Sequence, residues 1–107
     1  MIYIAIEDFP NYEILPPRGA WRRNDSLIQD LEFRYKGKQY SAVVILDIDY
    51  ERWYRAEDAH SPEEDDIEVF NLEVTLTDAW DENGYAVLDE EELRNIRLEL
   101  IKQIEVI

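Results

Sequence analysis

Ile2, Ile4 and Ile6 alternate with Tyr3 and Ala5, and such a period of two in β-branched residues predicts an opening strand. Regularity then lapses. Pro10, Pro16, Pro17 and Gly19 remove backbone donors or favour turns, so residues 8–26 are expected to form an ordered loop or arm. Leu31, Phe33 and Tyr35 alternate with Glu32 and Arg34, and alternation resumes at Gln39 and Tyr40. Lys36-Gly37 lies between the two runs, and glycine supplies the positive φ of a tight turn, so a β-hairpin is predicted here. The second arm contains Ala42-Val43-Val44-Ile45-Leu46, apolar at consecutive positions. That pattern predicts a central strand covered on both faces, or on one face by a subunit contact. Placed instead at an exposed edge, the same run would favour dimerisation.

Residues 49–66 are polar and crowded, ending in Glu63-Glu64-Asp65-Asp66, and four adjacent acids that repel one another predict a solvated loop. Ile67 to Thr77 returns to period two, with Phe70, Leu72, Val74 and Leu76 on one face and Glu73 and Thr75 on the other. Asn83-Gly84 is a type I′ hairpin signal that would fold Tyr85–Leu88 back on the preceding strand. Asp89 with Glu92 three residues on forms an N-terminal cap. Leu93, Ile96, Arg97, Leu100, Ile101 and Ile104 then follow helical spacing with Lys102 near the end, so a helix is predicted over about 90–104. The tail Glu105-Val106-Ile107 frays or adds strand-like contacts. The expected fold is α+β: one domain over residues 1–107, an antiparallel sheet of four to five strands, and one C-terminal helix packed on a face.

A chain of 107 residues with 46% hydrophobic content supports one core despite its high charge. No cysteine is present, which excludes disulfide and thiolate chemistry and fits a cytoplasmic protein. No run approaches the length of a membrane helix. Met1–Ile6 lacks a basic flank and meets Glu7-Asp8 at once, so it is read as a strand and not a signal peptide. The net charge of −15 is unevenly spread: residues 56–107 hold seventeen acids and three bases, residues 1–55 nine acids and eight bases. Direct binding to a phosphate backbone needs a basic face and is not expected. A basic partner, a cation or solubility is the natural use of such charge.

Candidate chemistry is sparse. Asp81, Asn83, Gly84 and Glu90 match positions of a calcium loop, but Ala79 stands where its first carboxylate belongs, and a hairpin turn explains the same residues. Glu57, Asp58 and Glu63–Asp66 could offer oxygen ligands to magnesium or calcium, or be a solvated charge block. His60, the only histidine, could act as a base beside Glu57 or Asp58, yet no serine or cysteine nucleophile stands in a recognisable setting. No catalytic residue, cofactor or metal ligand is therefore assigned. Two aromatic–basic clusters, Trp21-Arg22-Arg23 and Arg52-Trp53-Tyr54-Arg55, carry residue types enriched at binding hot spots. Alternatively the tryptophans close core edges and the arginines neutralise acids of the second half. Together with Glu63, Glu64, Asp65 and Asp66 these are the candidate protein-contact residues.

From about Leu31 onward the order of features resembles small uncharacterised acidic proteins encoded by tailed phages and prophages. The resemblance rests on a strand, a loop with Glu57 and Pro62-Glu63, then Ile67-Glu68-Val69, Leu88-Asp89-Glu90-Glu91-Glu92-Leu93 and Ile96. The loop here has one proline where that class has several, and the N-terminal third has no counterpart in it. The class carries no established activity, so the resemblance implies only a mobile-element origin. The leading expectation is a non-enzymatic accessory or protein-interaction domain whose acidic half steers a basic protein, with self-association as a further expectation. A nucleic-acid mimic that blocks a DNA- or RNA-binding protein, and a small carboxylate- or metal-dependent hydrolase, are the alternatives.

Overall fold

The computed structural model describes all residues from Met1 to Ile107. In chain order the elements are β1 (Ile2–Ile4), a single 3-10 turn (Ile6–Asp8), β2 (Gly19–Tyr35), β3 (Lys38–Arg55), β4 (Glu64–Trp80), α1 (Glu90–Gln103) and β5 (Ile104–Val106). Lys36 and Gly37 take φ of 51° and 74°, the two positive values a type I′ turn needs, and they close the β2–β3 hairpin. The β2–β3 register then runs without interruption from Tyr35↔Lys38 to Gly19↔Tyr54. β4 pairs antiparallel on the other side of β3, so the main sheet has three long strands in the order β2-β3-β4. β1 and β5 form a separate two-stranded parallel sheet, and just beyond the strands Ile6 N–H donates to Ile107 O and Ile107 N–H to Ile4 O. The molecule is a rod, 58 × 19 × 18 Å between Cα atoms.

Only one face of the main sheet is covered. Even-numbered residues of β3 point inward: Tyr40, Ala42, Val44, Leu46, Ile48 and Tyr50 are all buried. Register places Leu31, Phe33 and Leu27 of β2 beside them, and Val74, Leu72 and Leu76 of β4 on the other side. Towards the hairpin turn this face is covered by α1 through Ile96 and Leu100, with Ile4 and Ile104 of the small sheet completing the core. Asp89 caps α1 by accepting from Glu92 N–H at 3.0 Å. Towards the open end the arm of residues 5–18 takes over, and Phe9 and Pro16 are buried there. No helix is long and apolar enough to cross a membrane.

Several sequence expectations are corrected by this arrangement. The predicted single antiparallel sheet of four to five strands is a three-stranded antiparallel sheet plus a two-stranded parallel one. The irregular arm ends at residue 18, since 19–26 already belong to β2. The solvated loop expected over 49–66 shrinks to 56–63, because β3 continues to Arg55 and β4 begins at Glu64. Ala42–Leu46 is central but covered on one face only; Val43 and Ile45 lie on the open face. Being central, the run is no edge, and the dimerisation expected of an edge does not attach to it. Two register shifts in β4 turn Phe70 out to solvent and bring Ala79 in, so Phe70 does not share a face with Leu72 and Val74. The Asn83-Gly84 turn is not type I′: Gly84 alone has positive φ, and only the bridge Trp80↔Ala86 returns to β4.

Candidate functional site

The inward face changes character beyond Ile48. Arg52 is buried, and its Nε and Nη2 donate to both carboxylate oxygens of Asp65 at 2.9 and 2.7 Å. Its Nη1 donates to Tyr12 O, and its guanidinium lies 4.2 Å from the centre of the Tyr12 ring. The bidentate carboxylate holds the Arg52 guanidinium above its ordinary range, against burial, which acts the other way. Asp25, also buried, accepts from Asn11 N–H at 2.8 Å, from Asn11 Nδ2 at 3.1 Å and from Ser26 N–H. Arg23 Nη1 donates to Asn11 O. Polar side chains of β2, β3 and β4 thereby clamp the N-terminal arm onto the sheet.

The sequence-derived contact residues divide accordingly. Arg52 is enclosed, so it acts within the protein and not on a partner. Asp65, its side chain 24% exposed, is taken by Arg52, and Glu64 pairs with Arg55 at 2.7 Å, so the acidic run is not four free repelling charges. Trp21 and Arg23 share the inner side at the open end, with Arg23 stacked 5.1 Å from the Trp21 ring. Arg22 faces outward against the Phe70 ring at 4.6 Å. Trp53 and Tyr54 are half-buried, while Glu63 and Asp66 are exposed at the strand ends.

The uncovered outer face is the larger feature, and sequence reading missed it as a unit. Register aligns Asp30, Val43 and Asp78 in one row, then Ile28, Ile45 and Thr75, then Ser26, Asp47 and Glu73, then Asn24, Asp49 and Asn71. These four rows hold five carboxylates, no base and a central Ile28–Ile45 pair, with Ile28 70% exposed. At one end a groove of about 550 Å³ runs between Asp30, Glu32, Ser41, Val43 and Trp80. The signal was available in the strict alternation of β2 and β3, where every residue flanking an inward side chain must face out.

Elsewhere side chains serve turns. Asp58 accepts from the backbone N–H of His60 and Ser61, which holds its carboxyl below the usual range. Asp81 Oδ1 accepts from Asn83 and Tyr85 N–H, so the residues matched to a calcium loop form a hydrogen-bonded turn. No three His, Asp or Glu side chains are grouped to hold a metal ion. At the hairpin end Tyr40 Oη donates to Glu92 Oε1 at 3.1 Å; burial, then this carboxylate, raise the phenol above its ordinary 10.0. A raised acid favours the folded state while neutral, so this contribution is intact below about pH 10 and is lost as pH rises through the raised value. Stability measured against pH should therefore fall on the alkaline side, and Tyr40→Phe should flatten that limb. Superimposable alkaline limbs for the two proteins would contradict the assignment.

Comparison with family models, with curated proteins and with solved structures found no match to this chain.

Proposed function

We propose that the chain is a non-enzymatic protein-interaction module whose open sheet face receives a basic partner. The observation that carries this reading is the row pattern Asp30/Asp78, Ile28/Ile45, Asp47/Glu73 and Asp49: an apolar centre ringed by carboxylates on a face nothing in the chain covers. Same-face residues on a strand stand about 6.7 Å apart. The five carboxylates therefore occupy about 20 Å of rod, a density that steers cations over the Debye length of ~8 Å. Trp80 and the Ile28–Ile45 pair supply the apolar contact, and the acids set encounter rate and orientation.

Capture from a lysate of the source cell, with wild-type protein and an Asp47→Lys/Glu73→Lys variant as baits, tests this. A basic protein held at low salt, released at high salt and lost from the variant is expected. Equal retention on both baits would place the contact elsewhere.

Nucleic-acid mimicry is the second reading, favoured by shape. A net charge of −15 along a 58 Å rod is one charge per about 4 Å, near the 3.4 Å along one strand of a duplex and sparser than the 1.7 Å of both strands together. Competition with DNA for a basic nucleic-acid-binding protein would support it.

A further inference from the structure

The two edges of the main sheet are treated unequally. β4 is interrupted by two register shifts and carries six acids and no base. It is also partly covered, since Arg97 Nε donates to Val74 O at 2.7 Å and Ala86 bridges Trp80. These are the devices that keep an edge strand from pairing with another chain. β2 lacks the register shifts and the excess of acids, and only scattered side chains touch its edge: Gln103 on Arg34 O, Gln29 on Asp30 O and Asp25 on Ser26 N–H. It is seventeen residues long, free of proline and lysine, unbroken in register, and balanced in charge, with Arg22, Arg23 and Arg34 against Asp25, Asp30 and Glu32. In a chain of net −15 it is a neutral edge.

The direction of its free backbone groups follows from the bonds already made. Thr77 Oγ1 donates to Val43 O, so Val43 turns its backbone towards β4, and its β2 neighbour Asp30 must turn away from β3. Ser26 N–H bonds the Asp25 side chain and Arg34 O accepts from Gln103, which confirms that even-numbered residues of β2 aim N–H and C=O out of the edge. Most of that row has no partner within the chain.

We propose that β2 is a self-pairing edge: two copies join β2 to β2, antiparallel, about a twofold axis through Leu27, giving one six-stranded sheet. The charge pattern suits this register, and only an axis at Leu27 overlaps the whole strand Gly19–Tyr35 with its copy. With the axis at Leu27, Arg22 opposes Glu32 of the second copy, Asn24 opposes Asp30, and Ile28 opposes Ser26; symmetry repeats each pair. All three are pairs of even-numbered residues, the ones whose backbone groups face out, so hydrogen-bonded pairing and charge pairing coincide. Half-buried Leu27 meets its own copy on the inner side and becomes covered. Moving the axis one residue to Ile28 would set Arg22 against Arg34 twice. An isologous contact of this kind closes at two copies. The acidic outer faces then lie side by side, and the inference stands whether or not they receive a basic partner.

Sedimentation equilibrium of the full chain, from micromolar to near-millimolar concentration at physiological salt, tests the proposal. A monomer–dimer equilibrium is expected. Arg22→Glu and Glu32→Arg, each shown folded by circular dichroism, should each weaken the dimer on the order of tenfold, because two attractive pairs become repulsive. The double exchange Arg22→Glu/Glu32→Arg should restore it. A monomer at every concentration, open-ended growth, or a dimer indifferent to the single exchanges would overturn the proposal. Failure of the double exchange to restore pairing would overturn the Leu27-centred register.

Discussion

Asp65→Ala is expected to lower the unfolding free energy by about 3 kcal/mol, the low end for breaking a buried ion pair because Asp65 keeps some solvent contact. The cost falls on what remains. Arg52 would stay buried with one backbone carbonyl and the Tyr12 ring for company, its charge no longer balanced. Removing both members should be far milder, so Arg52→Met/Asp65→Ala is expected to recover most of the loss. Urea unfolding with an unchanged slope would report both values. A loss below about 0.5 kcal/mol for Asp65→Ala would mean that the pair behaves like an ordinary surface salt bridge.

Leu46→Ala should cost about 3 kcal/mol, within the range for emptying a packed aliphatic site, while Ile45→Ala one residue away should cost under about 1 kcal/mol. Leu46 is fully enclosed between Leu27 and Val74, whereas Ile45 lies on the outer face between Ile28 and Thr75. The contrast between adjacent residues measures how one-sided the sheet is. Equal costs would indicate that the outer face is covered in solution, as subunit packing against it would require. The edge-to-edge dimer proposed above leaves this face open, so the pair of substitutions also separates the two modes of association.

Much of the frame was legible locally. The Lys36-Gly37 turn, the strands through Leu31–Tyr35 and Ile67–Thr77, and the helix capped by Asp89 all follow from short-range rules of alternation, turn chemistry and capping. The outer ends of β2 and β3 were not. Asp25 and Arg52 occupy inward positions where an apolar residue announces a strand, and they are tolerated because Asn11, Tyr12 and Asp65 satisfy them from segments fourteen, forty and thirteen residues distant. Arg23 beside them is satisfied only in part, Nη1 on Asn11 O and Nη2 unpaired. Polar inward residues made buried strand read as loop. The acidic run misled for the same reason, since Asp65 and Glu64 stand opposite Tyr54 and Arg55 across a ladder that no local pattern displays. The acidic outer face was hidden differently. Asp30, Asp47, Glu73 and Asp78 are scattered in the chain and become one acidic field only when register sets them in neighbouring rows.

By itself the sequence determined an acidic α+β chain with a tight hairpin, a capped terminal helix and no thiol chemistry, because each of these depends on neighbours within a few residues. Tertiary structure alone decided which face of Ala42–Leu46 is covered, that β1 and β5 pair in parallel from opposite ends of the chain, and that β2 is left as an unbroken, sparsely covered edge while β4 is interrupted and acidic. Those outcomes depend on contacts between distant segments. One helix and one short arm suffice to cover a single face of the three strands, and so the other face and one edge remain open.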